Sequence, residues 1–532
     1  MICTQRESLG QESRSTRYDD LVQLFEEWRA FQKPPIIAGI FDYSASAMAT
    51  QHRELAVHQK RLAAIDTSGW PVAQRIDYHL VKAEMNGLDF DHRVRQPWAR
   101  DPAFYVMIFP EQSDVPAREG PVIAGAIDVW AYSFPLTPQS AGELSAQIRK
   151  IPAVLAQAKN NLIGNARDLW VAGIRSMKQQ SVDLSALASK VASAGNSLLR
   201  DIRAAREATD AFCVWLEKEA PSKTGVSGVG IDHYNWYLKN VQLVPYTWQE
   251  EVTFMRRELA RAHAALRLEE HRNRRLPQPA PVADAEEYDR RFNAAVTEYM
   301  EFLRDHEIVS IRDYMDAALR ARIGSFSPAS AGRREFFSEI NYRDPLVMRT
   351  HGYHWFDLAR MQHEPHASPM RRVPLLYNIF AGRAEGLATG IEEMMMHAGL
   401  LDDRPRAREL IWVLLAQRAA RALGDLHMHS NEWTMAQAIK FASEWTPRGW
   451  LQATSNTVWF EQHLYLQQPS YGTSYLIGKI EIEELLAVRA KQLGEAFTLK
   501  RFMDELNDAG MIPVALMRWE LTGEQGYFLS AH

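Results

Sequence analysis

The strongest constraint on this chain is the spacing of its apolar residues, which recur every three or four positions through most of its length. Leu21, Leu24, Phe25, Trp28 and Phe31 set the pattern on a polar background, the signature of a helix that buries one face. Pro34 and Pro35 stop it, and GIFDYSA reads as a turn before helical stretches around 55–65 and from Pro71 to about Gly87. Similar patterns cover roughly 140–161, 181–220, 288–306, 311–321 and 407–426, and Ile482, Leu485, Leu486 and Leu493 continue them. Thr247 with Glu250, and Thr434 with Gln437, have the spacing of capping boxes, while Thr498 caps a helix that stops at Gly510. Strand signals are few and no repeat of fixed period occurs, so the fold expected is all-α, with many helices and few short strands.

Two stretches interrupt this pattern. Residues 93–135 are rich in proline and aromatics without a sustained period, and read as an irregular, loop-rich segment. Residues 276–287 carry three prolines, which disfavour regular structure, and read as a linker. At 532 residues the chain exceeds one ordinary core, so an N-terminal helical lobe over 1–275 and a C-terminal lobe over 288–532 are expected.

A net charge of −5 offers no electrostatic footprint for nucleic acid or an anionic membrane. The two cysteines, Cys3 and Cys213, cannot build a disulfide framework, which fits a reducing compartment. The first twenty residues lack the apolar region of a signal peptide, and no run of about 18 apolar residues follows, so a cytoplasmic protein is expected.

Chemistry is expected between Arg349 and Gly399, where five of the 17 histidines (His351, His354, His363, His366 and His397) crowd together with Glu385, Glu392 and Glu393. Divalent metals are held by imidazole nitrogen and carboxylate oxygen. On a helix His351 and His354 lie about 60° apart, Asp357 continues their face, and Glu385 on a following helix completes a candidate set. His363 and His366 flank Pro365 in a polar loop, and Met394, Met395 and Met396 read as packing. His427 and His429, two apart, point to different faces, so at most one enters a given site. The glycines of KTGVSGVG lack the Lys-Ser/Thr ending of a phosphate loop, and no nucleophile elbow is present.

The second half resembles the bacterial family known as domain of unknown function 885, large helical proteins similar to zinc metallopeptidases of the His-Glu type. AEGLATGIEE from Ala384 resembles that family's ligand-glutamate helix, at Glu385 with Glu392 as its second glutamate. RAARALGDLHMH matches its Arg-x-x-Arg-x-x-x-Asp pattern at Arg418, Arg421, Asp425 and His429, and QQPSYGTSYLIG its Pro-to-Gly segment at Ser474, Tyr475 and Gly478. The family's His-Glu-x-x-Pro-Gly-His motif falls on His351-Gly352-Tyr353-His354-Trp355-Phe356-Asp357. The first histidine is kept, the glutamate is Gly352, and the second histidine is Asp357. Glycine cannot serve as a general base, a role commonly worth ~10²- to 10⁴-fold in rate.

The resemblance implies a metallopeptidase-like fold with a deep central cleft, and a diverged metal-dependent hydrolase acting on a peptide or small amide or carboxylate substrate. His351, His354, Asp357 and Glu385 would hold zinc, with manganese or iron as alternatives. Tyr475 and His429 would stabilise the oxyanion, Glu392 would stand in for the base, and Arg418 or Arg421 would hold a substrate carboxylate. Two alternatives stand beside it: a metal-free pseudoenzyme that binds peptides or small molecules, and an iron enzyme using two histidines and one carboxylate.

Overall fold

A computed structural model describes residues 15–192, 196–330 and 332–525, with Cys3 outside them. The expected periodicity is realised as helices throughout, from Tyr18–Phe31 to Val514–Thr522. Both capping boxes form: Thr247 and Glu250 open Trp248–Arg272, and Thr434 and Gln437 open Met435–Trp445. Among the described residues the only strands are two pairs of two residues each, Ile36–Ile37 with Ile40–Phe41 and Ile108–Phe109 with Ile127–Asp128. No described helix is long and apolar enough to cross a membrane.

The apolar residues form two large cores. One draws on residues between Tyr43 and Leu216, including Phe104, Trp170 and Phe212. The other runs from Leu21 to Trp519 and takes residues from both sides of 276–287, so burial does not divide at that segment. Within 276–287 itself Val282 is fully buried, its N–H bonded to the Tyr342 carbonyl at 2.9 Å.

Three helices frame the histidine-rich region. Pro405–His429 is buried on nearly every face, as expected for a helix running through a core rather than over it. Ala381–His397 crosses Tyr471–Leu493 at Gly382, Gly386 and Gly478, where backbone lies against backbone: a Cβ on Gly478 would meet the Gly382 carbonyl oxygen at 1.9 Å. That crossing brings Glu385 of one helix and Tyr471 of the other into contact.

Candidate metal centre

The two histidines do not share one uninterrupted helix. Pro345–His351, capped by Asp344, ends at His351, and Tyr353–His363 begins after the single turn residue Gly352. A Cβ on Gly352 would meet Leu319 Cδ2 at 2.8 Å and the Arg349 carbonyl oxygen at 2.9 Å, so this tight joint leaves little room for a longer residue. The His351 and His354 rings stand edge to face with centroids 5.0 Å apart.

Their third partner comes from a distant part of the chain. Asp114, in the irregular 93–135 segment, places a carboxylate oxygen with one nitrogen of each histidine so that all three atoms lie within 4.8 Å of one another. Sequence reasoning missed Asp114, because a loop residue more than 200 positions away in sequence leaves no periodic or spacing signal.

Glu385 lies beside His354 but outside that group of three. Its Oε2 lies 3.2 Å from His354 Nε2, and its Oε1 accepts a 2.6 Å hydrogen bond from Tyr471. His354 and Glu385 are each only 2% exposed. The two pair as ions when His354 is protonated, although the N–H is not aligned for a regular hydrogen bond. Ligand atoms around one tetrahedral ion at bonds of about 2.0–2.1 Å sit roughly 3.3 Å apart, so the pair is spaced as neighbours on a metal would be. Burial alone would lower the His354 pKa, but Asp114 and Glu385 outweigh it and raise it to about 9. Burial likewise opposes the charge on Glu385, yet His354 and Tyr471 hold its carboxyl down at about 2. A proton on His354 thus stands where a cation would satisfy the same carboxylates. The residues present fit a divalent ion.

His351 is oriented from behind. Its Nδ1 is 3.0 Å from Glu392 Oε1, and Glu392 is gripped by both terminal nitrogens of Arg418 at 2.6 and 2.7 Å. The same Nδ1 meets the Ala388 carbonyl at 3.3 Å and Arg418 Nη2 at 3.2 Å, so one edge of the ring is held by polar partners, the kind of support a metal-ligating histidine has. Glu392 is therefore not a free base: burial disfavours its charge, but Arg418 and His351 lower its pKa.

Several expected roles meet other geometry. Asp357 is buried in a two-pronged ion pair with Arg383, 3.0 Å at each oxygen, and is not brought to the histidines. Arg418 is committed to Glu392, and Arg421 to Glu461 and to the face of Tyr475 at 4.1 Å, so neither is available for a substrate carboxylate. His429 is fully buried, with Nε2 2.9 Å from the Tyr465 carbonyl and Nδ1 accepting from the Val229 N–H, which spends both nitrogens on backbone. It supports the fold rather than an oxyanion. Tyr475 remains beside the centre: burial and the nearby charge of Glu385 push its phenol well above its usual pKa, keeping it a proton donor.

One further carboxyl faces this region. Burial first, then the charge of Asp114, raises Glu119 to about 7, and the Ser113 hydroxyl donates to its Oε2 at 2.9 Å. The same loop lines a cavity of about 600 Å³ through Gln112, Ser113, Arg118 and Gly120, together with Tyr377 and Gln468.

The fold and the centre define an all-α protein with a buried histidine–carboxylate cluster. Residues 354–521 match the model of a family described as bacterial protein of unknown function, DUF885, which supports that assignment for the part of the chain bearing Glu385, Arg418 and Tyr475. No curated protein matches the chain. Two solved structures are similar over nearly their whole length: a candidate lipoprotein of unknown function from Shewanella oneidensis and one from Colwellia psychrerythraea. Each is 16% identical with a TM-score of 0.67, covering 95% of this chain and 98% and 97% of theirs. At that identity the likeness shows the fold alone.

Proposed function

We propose that the protein is a metal-dependent hydrolase of a diverged, metallopeptidase-like kind, acting on a peptide or a small amide. The approach of Asp114, His351 and His354 to within 4.8 Å of one another, with His354 Nε2 3.2 Å from Glu385 Oε2, carries this reading. A divalent ion held there, zinc first among the candidates, would supply Lewis acidity toward a carbonyl and a water nucleophile. Tyr471 holds Glu385 in place, and Arg418 with Glu392 holds His351. Tyr475, kept protonated, is the donor toward a developing oxyanion. With Gly352 in the motif position, Glu119 is the carboxyl available to accept a proton. A cytoplasmic, reducing setting belongs to the same proposal, which the buried free thiol of Cys213 supports.

A second reading is favoured by the donor set itself. Two histidines and one carboxylate also make the ligand set of oxygen-activating iron enzymes. Metal analysis of the purified protein, followed by cleavage of a mixed dipeptide library, separates the readings. Zinc-dependent cleavage that disappears in Glu385→Ala supports the hydrolase. Oxygen uptake with ferrous iron supports the second reading. Absence of any metal after reconstitution sinks both and leaves a binding module.

A further inference from the structure

Outside the candidate metal centre a second acidic group is buried. Glu251 of Trp248–Arg272 is fully buried; Tyr234 donates to its Oε2 at 3.3 Å, while Oε1 has no partner. Thr473 stands beside it, but the single hydroxyl hydrogen goes to the Ser470 carbonyl at 3.1 Å, so Thr473 offers Glu251 only lone pairs. Glu481, about two turns further along Tyr471–Leu493, is 8% exposed, and among the described residues no hydrogen bond or ion pair engages its carboxylate. The two glutamates, Ser470, Thr473, Ser474 and Gly382 line a void of about 10 Å³ together with Gln242 and five apolar residues.

An isolated buried carboxylate is too costly to persist uncompensated. Burial first, then the charge of Glu484, raises Glu481 to about 8, and burial raises Glu251 well above its ordinary value, so either a proton or a cation must accompany them. We propose that this void is a structural cation site that takes one dehydrated calcium ion on Glu251, Glu481 and the oxygens of Ser470 and Thr473. Every donor is oxygen, which selects a hard cation and rejects zinc or copper. The void matches roughly one water-sized sphere, with no room for the hydration shell that magnesium retains, so calcium is preferred. The ion would tie Trp248–Arg272 to Tyr471–Leu493, the helix that presents Tyr471 to Glu385.

The test uses the full-length protein stripped with a calcium chelator. Terbium, a luminescent stand-in for calcium, is excited through tyrosine, since the Tyr234 phenol touches Glu251. The expected result is terbium emission displaced by calcium, with a melting temperature raised ~2–5 °C by excess calcium. Glu251→Gln and Glu481→Gln each weaken calcium ~10-fold or more. Asp114→Asn, which strikes the other cluster, leaves calcium binding unchanged. Glu481→Gln serves alone if Glu251→Gln does not fold. A stability that varies with pH but not with calcium overturns the proposal, because protons then suffice. So does a terbium signal that survives Glu481→Gln at full affinity.

Discussion

His354 Nε2 faces Glu385 Oε2 at 3.2 Å in a buried setting, yet no hydrogen is directed between them. With a proton on His354 the two form a direct ion pair, and the same two atoms are spaced to share a divalent ion in the proton's place. His354→Ala or Glu385→Gln is therefore expected to lower metal affinity by ~100-fold or more, measured as bound metal after gel filtration. Asp357→Asn should leave metal content unchanged, because Asp357 is spent on Arg383. Equal loss in Asp357→Asn would refute the ligand set.

The support of His351 separates shape from charge. Glu392→Gln keeps the shape of the contact but leaves the buried Arg418 guanidinium without its counter-charge, and is expected to weaken metal binding by ~10–100-fold and to cost about 3–5 kcal/mol in urea unfolding. Glu392→Ala removes the contact atoms as well and should cost at least as much. A Glu392→Gln protein as stable as wild type would mean that the charge of Glu392 is not what Arg418 requires.

What the sequence could and could not announce follows from the range of each interaction. Helix identity is local, so the apolar period and the Thr247–Glu250 and Thr434–Gln437 boxes translate directly into structure. Glu385 was legible because a glutamate on a helix beside a histidine pair has few other uses. Asp114 was not, since it reaches the centre from an irregular loop by tertiary packing alone. Arg418, Arg421 and His429 stand out in the sequence through the likeness of RAARALGDLHMH to a family pattern. Their partners, Glu392, Glu461 and the Tyr465 carbonyl, lie on other helices, so the same pattern served equally for substrate groups until the packing was known.

Restoring the motif glutamate should not restore a peptidase. At Gly352 any Cβ crowds Leu319 Cδ2 at 2.8 Å and the Arg349 carbonyl at 2.9 Å. Leu319 can move but the carbonyl cannot without unwinding the end of Pro345–His351. Gly352→Glu is expected to lose about 1–3 kcal/mol and to give no more than wild-type cleavage of the dipeptide library. A large gain in activity would mean that the joint is plastic and that Gly352 alone silenced the site.

His429 carries a pH dependence of definite sign. Burial lowers its pKa to about 4, from an ordinary value near 6.5. The unfolded chain then takes up the proton first as pH falls. The stabilisation is complete above pH ~6.5 and is lost on acidification toward the folded value, by on the order of 2–3 kcal/mol at pH ~4. His429→Gln can still donate to the Tyr465 carbonyl and accept from the Val229 N–H, so it should fold and flatten this part of the stability profile. His92 and His463, also lowered to about 4 by burial, supply the slope that remains. An unchanged profile in His429→Gln would mean that His429 is not neutral in the native state.

Gly478 tests whether the crossing of Ala381–His397 with Tyr471–Leu493 is what assembles the centre. A methyl group there would lie 1.9 Å from the Gly382 carbonyl oxygen, a backbone atom in a buried stretch of helix. No rotamer change relieves that clash, so the helices must separate. Separation draws Tyr471 away from Glu385, now joined by a 2.6 Å hydrogen bond, and loosens Glu385 against His354. Gly478→Ala is expected to cost about 3 kcal/mol or more and to lower metal affinity in the fraction that remains folded. Gly390→Ala, where a Cβ would meet only the flexible Lys479 side chain at 3.5 Å, is the control and should fold and bind metal normally. If Gly478→Ala unfolded at the wild-type urea concentration with full metal affinity, the helix crossing would not set the geometry of Glu385.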